Sequence, residues 1–295
     1  MKETLSTHHT ELPVHLPKQG SYIDLHMHSL YSDGLHSVTE LVAMAAQNKV
    51  RALSLTDHDT LDGLAEAQKV AHEHNIEFVS GVEISTFDNN SEIHILGYLF
   101  DPTHLGLNLK LAELQNNRRQ RAAQIIAKLE KQGISISLDR VFEKAKGTSV
   151  GRPHIAAVML EEEYVSSYSE AFEKYLHLDF VREFELNKPT PKFAIELISE
   201  AGGIPVLAHP AKYNRDDLLE SFVASGLIGI ETFCPGMDKQ SSLKYRSLAK
   251  KWNLICSGGS DFHCDRPGMR CGVGSLPVPY ETLDQMRTQL LRRVA

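Results

Sequence analysis

Ala52-Leu53-Ser54-Leu55-Thr56-Asp57-His58-Asp59 carries two signals in one short stretch. The first half is an apolar run of strand length, bounded by polar residues. The second half is a polar run directly after that strand, where Asp-His-Asp has no role in a core. Together they describe a short buried strand whose C-terminal tip presents groups capable of chemistry.

The pattern recurs on both sides. Ile23-Asp24-Leu25 runs into His26-Met27-His28, and Phe78-Val79 into Gly81-Val82-Glu83, which reads as another strand end. Ile93-His94-Ile95-Leu96 carries its histidine inside the run. Pro205-Val206-Leu207-Ala208 ends at His209, Ile228-Gly229-Ile230 at Glu231, and Leu254-Ile255-Cys256 leads to Asp261 and His263. Amphipathic stretches separate several of these runs: Val38 to Lys49, Gly63 to His74, Lys192 to Ala201 and Ser241 to Trp252. Strand–helix alternation of this kind predicts a parallel α/β sheet or barrel. An open sheet gathers function at one switch point. A (β/α) barrel brings all its C-terminal strand ends to one mouth, and the spread of polar residues over seven strand ends favours the barrel.

The alternation breaks between about residues 101 and 190. Leu105 to Gln132 reads as one long helix ended by Gly133, followed by helical patterns over Leu138–Lys146, Gly151–Glu161 and Ser169–His177. The expected organisation is a loose tail over residues 1–20, a barrel over 21–100 and 191–295, and a helical insertion over 101–190 covering the site. The tail histidines His8, His9 and His15 read as solvated.

The 295 residues, 42% hydrophobic and 23% charged, suffice for a large core. No window reaches the ~18 apolar residues of a membrane span, and the N-terminus lacks the apolar stretch of a signal peptide. The four cysteines, Cys234, Cys256, Cys264 and Cys271, form no CxxC pair and read as thiols in a reducing compartment, so a cytoplasmic location is expected. A formal net charge of -7 argues against coating long nucleic acid, yet leaves room for a small basic pocket.

His26 and His28 stand at i and i+2, which points both imidazoles to one face of a strand. Asp261 and His263 repeat that spacing. With Asp33 in the Ser32-Asp33-Gly34 turn, and with His58, Glu83, His94 and His209, they make nine residues of metal-ligand type in chain order. Taken singly, Asp33 could be a turn former and His94 a core histidine; nine such residues in chain order point to metals. Mixed His and carboxylate donors without cysteine suit Mn, Fe(II) or Zn better than Mg or Ca. Nine donors exceed one or two tetrahedral sites, so a cluster bridged by Glu83 is expected. Clustered divalent metals clamp the attacking and leaving oxygens of a phosphoryl displacement.

These motifs, with Thr56-Asp57-His58-Asp59, Gly81-Val82-Glu83-Ile84-Ser85, Ala208-His209-Pro210 and Gly259-Ser260-Asp261-Phe262-His263, resemble the PHP (polymerase and histidinol phosphatase) superfamily from about Tyr22 to Pro267. The resemblance implies a distorted seven-stranded, TIM-like (β/α) barrel with a three-metal centre, manganese foremost, with Fe2+, Zn2+ or Mg2+ as alternatives. It implies one metal on His26, His28, Glu83 and Asp261, a second on Asp33, His58 and His263, and a third on Glu83, His94 and His209. Gly151-Arg152-Pro153-His154 and the helix with Arg118 and Arg121 resemble the stand-alone branch of 3′,5′-nucleoside bisphosphate phosphatases and 5′-to-3′ exoribonucleases. That branch implies a nucleotide or a short RNA 5′ end as substrate. Arg152, His154, Arg118 and Arg121 would then be the phosphate contacts, although Arg118 and Arg121 at i and i+3 also fit a solvated basic helix face. Where the branch usually carries Arg after the Ala-His-Pro motif, this chain has Lys212, which keeps the charge but loses the bidentate fork. The alternatives are a histidinol-phosphate-type phosphatase, an amidohydrolase, which usually bridges its metals with lysine, and a non-catalytic metal-binding module.

Overall fold

The structure is a computed structural model that describes residues 22–88, 91–146, 149–264 and 271–294. The expected tail, with His8, His9 and His15, lies outside the described residues. The strands are β1 (Tyr22–Ile23), β2 (Ala52–Leu55), β3 (Glu77–Asp88), β4 (Ser91–Tyr98), β5 (Ile204–Leu207), β6 (Gly229–Phe233), β7 (Ile255–Gly258) and β8 (Val278–Pro279). The helices are α1 (Val38–Gln47), α2 (Leu64–Glu73), α3 (Leu105–Glu130), α4 (Leu138–Lys144), α5 (Arg152–Glu161), α6 (Tyr168–Lys174), α7 (Leu178–Glu185), α8 (Pro191–Glu200), α9 (Leu219–Ala224), α10 (Lys239–Trp252) and α11 (Glu281–Val294).

Strands β2 to β7 form one six-stranded sheet in chain order. The segment Asp24–His28 closes it as a seventh stave. On one side the Asp24 N–H donates to the Ala52 carbonyl at 3.0 Å and the Thr56 N–H to the Met27 carbonyl at 3.0 Å. On the other side the Asp261 N–H donates to the His26 carbonyl at 2.8 Å and the His28 N–H to the Phe262 carbonyl at 2.9 Å. The expected α/β barrel is therefore present, with His26 and His28 on the closing stave.

Two details differ from the sequence expectation. The sheet is mixed: β4 runs antiparallel to both β3 and β5. Only residues 89 and 90 separate β3 from β4, and a parallel crossover needs a dozen or more. Second, Glu83 lies inside a strand rather than at its end. β3 pairs with β2 as far as Ser80 and with β4 from Gly81 onward, so it runs past the barrel mouth. Gly81 permits the change of partner, since a Cβ there would meet Ser54 Oγ at 2.0 Å. The short pairing of β1 with β8, and helices α7, α9 and α11, were not among the expected elements.

Helices α3 to α7 occupy the stretch between β4 and α8 and share an apolar cluster that includes Ile125, Leu129, Val141, Met159 and Val181. Helix α3 belongs to two cores. Its first half sends Leu107, Leu111 and Leu114 into the cluster around the barrel, and its second half sends Ala122, Ile125 and Leu129 into the helical cluster. Arg118 and Arg121 lie where one core gives way to the other. No helix among the described residues is long and apolar enough to cross a membrane.

Candidate metal centre

The closing stave places His26 and His28 side by side, fully buried. After it the chain turns tightly: the Ser32 and Gly34 N–H groups both donate to the Ser29 carbonyl. Gly34 fits because a Cβ would lie 2.1 Å from the His28 carbonyl oxygen. Asp57 fixes this turn by accepting from Ser29 N–H at 2.7 Å, Ser29 Oγ at 2.6 Å and Ser32 Oγ at 2.5 Å. The turn delivers Asp33 next to His58 and His263. Three residues at the mouth, Asp59, His209 and Asp261, have φ of 53°, 25° and 47°. Left-handed backbone in residues other than glycine stores roughly 1–3 kcal/mol each and concentrates at functional sites.

All nine expected residues converge. Donor atoms of His28, Asp33, His58 and His263 lie within 4.8 Å of one another, as do those of His26, His28, Glu83 and Asp261, and those of His58, Glu83 and His94. His209 joins through Glu83. The grouping differs in detail from the expected one, since His28 and His58 each belong to two groups. Glu83 is the hub. One of its oxygens, Oε2, lies 3.1 Å from His26 Nε2, 3.1 Å from His28 Nε2 and 3.4 Å from His58 Nδ1. The other, Oε1, lies 2.9 Å from His94 Nδ1 and 2.9 Å from His209 Nε2. A carboxylate that divides five imidazoles between its two oxygens has the arrangement of a bridging ligand.

The donor set fits divalent cations. Asp33 Oδ1, His58 Nδ1 and His94 Nε2 are buried without a hydrogen-bond partner, and orphaned buried polar atoms call for an explanation such as an ion. Burial would push the Glu83 carboxyl up, but the surrounding imidazoles, His58 foremost, hold it well below the usual carboxylate range. Burial likewise opposes the charge on Asp261, and Lys212 and His26 outweigh it. His263 is drawn up to about 9 because Asp33 overcomes the lowering effect of burial. His209 is pushed down to about 3 by burial and by Lys212. The carboxylates thus demand positive charge, and protons on some of the histidines meet a demand that metal ions would meet instead.

Residues outside the expected nine orient the donors. Glu231 faces His26 Nδ1 at 3.0 Å and accepts from the His209 N–H at 2.6 Å. Tyr213 has its hydroxyl 2.6 Å from His209 Nδ1 and accepts from the His94 N–H at 3.0 Å. Lys212 Nζ donates to Asp261 Oδ2 at 2.8 Å. Ligand histidines characteristically place their second ring nitrogen against such partners. Glu231 was visible in the sequence as a strand-end carboxylate without a role. Tyr213, four residues beyond His209, carried no signal.

The four expected phosphate contacts are distributed differently. Arg118 and Arg121 are 8% and 7% exposed, so neither forms part of a solvated basic face. Arg118 donates from Nε to Asp59 at 2.6 Å, from Nη2 to Ser85 Oγ at 2.7 Å and from Nη1 to the Val150 carbonyl at 3.1 Å. Arg121 pairs with Glu185 at 2.9 Å. Arg152 pairs with Glu92 at 2.5 Å, and Lys188 also holds Glu92. His154 caps α5 by accepting from the Gly151 N–H at 2.9 Å. It also lines a cleft of 740 Å³ that reaches Asp33, Asp261 and His263.

The PHP domain model matches residues 24–200, and a 5′-3′ exoribonuclease of Haemophilus influenzae is 40% identical over 248 residues, covering 81% of this chain and 89% of that protein. The chain belongs to the PHP family. Another PHP relative, a 3′,5′-nucleoside bisphosphate phosphatase of Chromobacterium violaceum, is 33% identical and covers 84% of this chain and 89% of its own. The crystal structure of a proposed metal-dependent phosphoesterase from Bifidobacterium adolescentis superposes with a TM-score of 0.82 at 26% identity, over 92% of this chain and 97% of that one. The PHP protein described here is accordingly a hydrolase of the metal-dependent phosphoesterase type.

Proposed function

We propose that this protein hydrolyses the 3′ phosphate ester of 5′-phosphorylated nucleotides. It would release phosphate from 3′,5′-nucleoside bisphosphates such as pAp, and 5′ mononucleotides stepwise from RNA 5′ ends. The observation that carries the reading is Glu83 between five imidazoles, in a chain whose relatives bear those two activities in their names. Both substrates present the same bond: water adds to phosphorus, the bond from phosphorus to O3′ breaks, and O3′ takes up a proton.

His26, His28, Asp33, His58, Glu83, His94, His209, Asp261 and His263 are the proposed ligands, with Mn2+ as the resident ion. Divalent ions bound there would supply charge for the developing phosphorane and a water acidic enough to attack at neutral pH. Glu231 and Tyr213 hold His26 and His209 in place. Arg152 and His154 are proposed to meet the 5′ phosphate, while Arg118 and Arg121 brace the helices α3 to α7 that cover this side of the barrel. None of the four cysteines, all among the described residues, forms a disulfide, which suits a cytoplasmic setting.

The test is turnover of pAp, a short 5′-phosphorylated RNA and histidinol phosphate side by side, after chelation and after Mn2+ is restored. Metal-dependent turnover of the first two is expected. Preference for histidinol phosphate would favour the alternative phosphatase, and absence of all turnover would favour a metal-binding module.

A further inference from the structure

The 740 Å³ cleft has features that metal binding does not require. Asp33, Asp261 and His263 form its inner end, and it extends outward between the barrel and the helical segment. On the helical side its lining includes Pro153 of α5 and Tyr168 and Phe172 of α6. Tyr168 and Phe172 are at i and i+4, which places both rings on one face of the helix. The facing side is apolar too, with Leu35, Pro235 and Phe262. The volume lies within the ~300–1,000 Å³ of small-molecule sites, ample for one nucleotide. A phosphate on the metals needs neither an aromatic wall nor an apolar slot beside it. Histidinol phosphate has no large ring system to fill one.

We propose that Tyr168 and Phe172 form a stacking wall for the nucleobase of the nucleotide whose phosphate sits on the metal centre. The proposal rests on the nucleotide reading given above and adds the groups that recognise the base. Arg152 helps to set the wall, with its guanidinium 5.9 Å from the centre of the Phe172 ring. Stacking takes any base, because each has a π face. Purines, with the larger face, should bind better than pyrimidines, and adenine about as well as guanine. Such tolerance suits an enzyme that advances along RNA of any sequence.

The test measures equilibrium binding of AMP, UMP and ribose 5-phosphate to the metal-loaded protein and to Tyr168→Leu and Phe172→Leu. Leucine keeps an apolar side chain against the helical cluster while removing the aromatic face. Phe172→Tyr serves as the conservative control. The expected result is that wild type prefers AMP to ribose 5-phosphate by about 5- to 100-fold in Kd, the equivalent of ~1–3 kcal/mol at 1.4 kcal/mol per tenfold change. Each leucine variant should narrow that gap, Phe172→Tyr should retain it, and UMP should fall between the two. Equal affinity of wild type for AMP and ribose 5-phosphate would overturn the stacking wall, as would leucine variants that keep the full preference. The binding assay separates this proposal from the reaction: AMP binding that depends on both rings supports the wall even if pAp is not hydrolysed, and pAp hydrolysis with no preference for AMP over ribose 5-phosphate in binding removes the wall but leaves the reaction intact.

Discussion

His26 and Glu231 stand 205 residues apart in the chain and 3.0 Å apart in the fold, Nδ1 against Oε1, both fully buried. The same carboxylate also accepts the backbone N–H of His209, so one side chain aligns two donors from two staves. Glu231→Gln keeps the volume and removes the charge. Loss of such an outer partner typically lowers metal affinity ~10- to 100-fold. That drop is expected in a metal titration of the apo protein, with the far-ultraviolet circular dichroism unchanged. Unaltered affinity would mean that the pair serves only packing.

Asp261 and His263 are the proposed ligands from the last stave. Asp261→Ala and His263→Ala should each lower bound metal per chain and abolish most turnover while the protein still folds. Elemental analysis of the purified variants alongside an activity assay decides it. Wild-type metal content in both would show that this strand end is structural.

Metal affinity should rise with pH. His263 is drawn up to about 9, so below that pH the ring carries a proton that an incoming cation must displace. Binding then releases a proton, and affinity grows as pH rises toward 9. Calorimetric titration of Mn2+ in buffers of different ionisation enthalpy should record that release at pH 7. A buffer-independent enthalpy would contradict the expectation.

Arg118 and Asp59 make a buried ion pair at the point where α3 passes from one core to the other. Removing one partner of such a pair leaves an uncompensated charge and costs about 3–5 kcal/mol. Arg118→Ala should lower the denaturation midpoint accordingly, and Arg118→Met should be milder because it restores the packing. A loss under 1 kcal/mol in Arg118→Ala would show that water reaches the pair.

Glu92 predicts how the protein responds to acid. Burial would raise its carboxyl, but Lys188 and Arg152 hold it well below the usual range. A depressed folded value contributes stability that is fully present above the unfolded value of ~4.3 and is lost as pH falls below it toward the folded value. Denaturant titrations should show stability falling below pH ~4, with a shallower fall in Glu92→Gln. Parallel curves would assign the acid sensitivity to other carboxylates.

The centre was legible because its donors lie next to strong local patterns. His58 follows an apolar strand, and His26 with His28 repeats with period two. Strand–helix alternation pointed to a barrel, and the barrel brings all nine residues together. Glu83 was misplaced at a strand end because Gly81 marks a change of partner strand, which depends on β4 rather than on anything local. Arg118 and Arg121 show a second limit. Their spacing fits a wet basic face, and only the arrival of Asp59 from residue 59 and Glu185 from residue 185 turns them into buried ion pairs. Tyr168 and Phe172 resemble ordinary core aromatics in sequence, and their position on the cleft depends on how α6 packs on α5 and the helical cluster.

The closing stave has a consequence for biosynthesis. His26 and His28 leave the ribosome early, but their partners Asp261 and His263 follow more than 230 residues later. At ~5–20 residues per second, the first imidazoles wait roughly 10 to 50 seconds for the strand that completes their cage. During that interval the growing chain exposes a His-x-His pair without Asp261 and His263, a weak and unselective trap for metal. Selective loading therefore belongs to the finished chain, and the choice of ion should follow the metal pool that the folded protein meets.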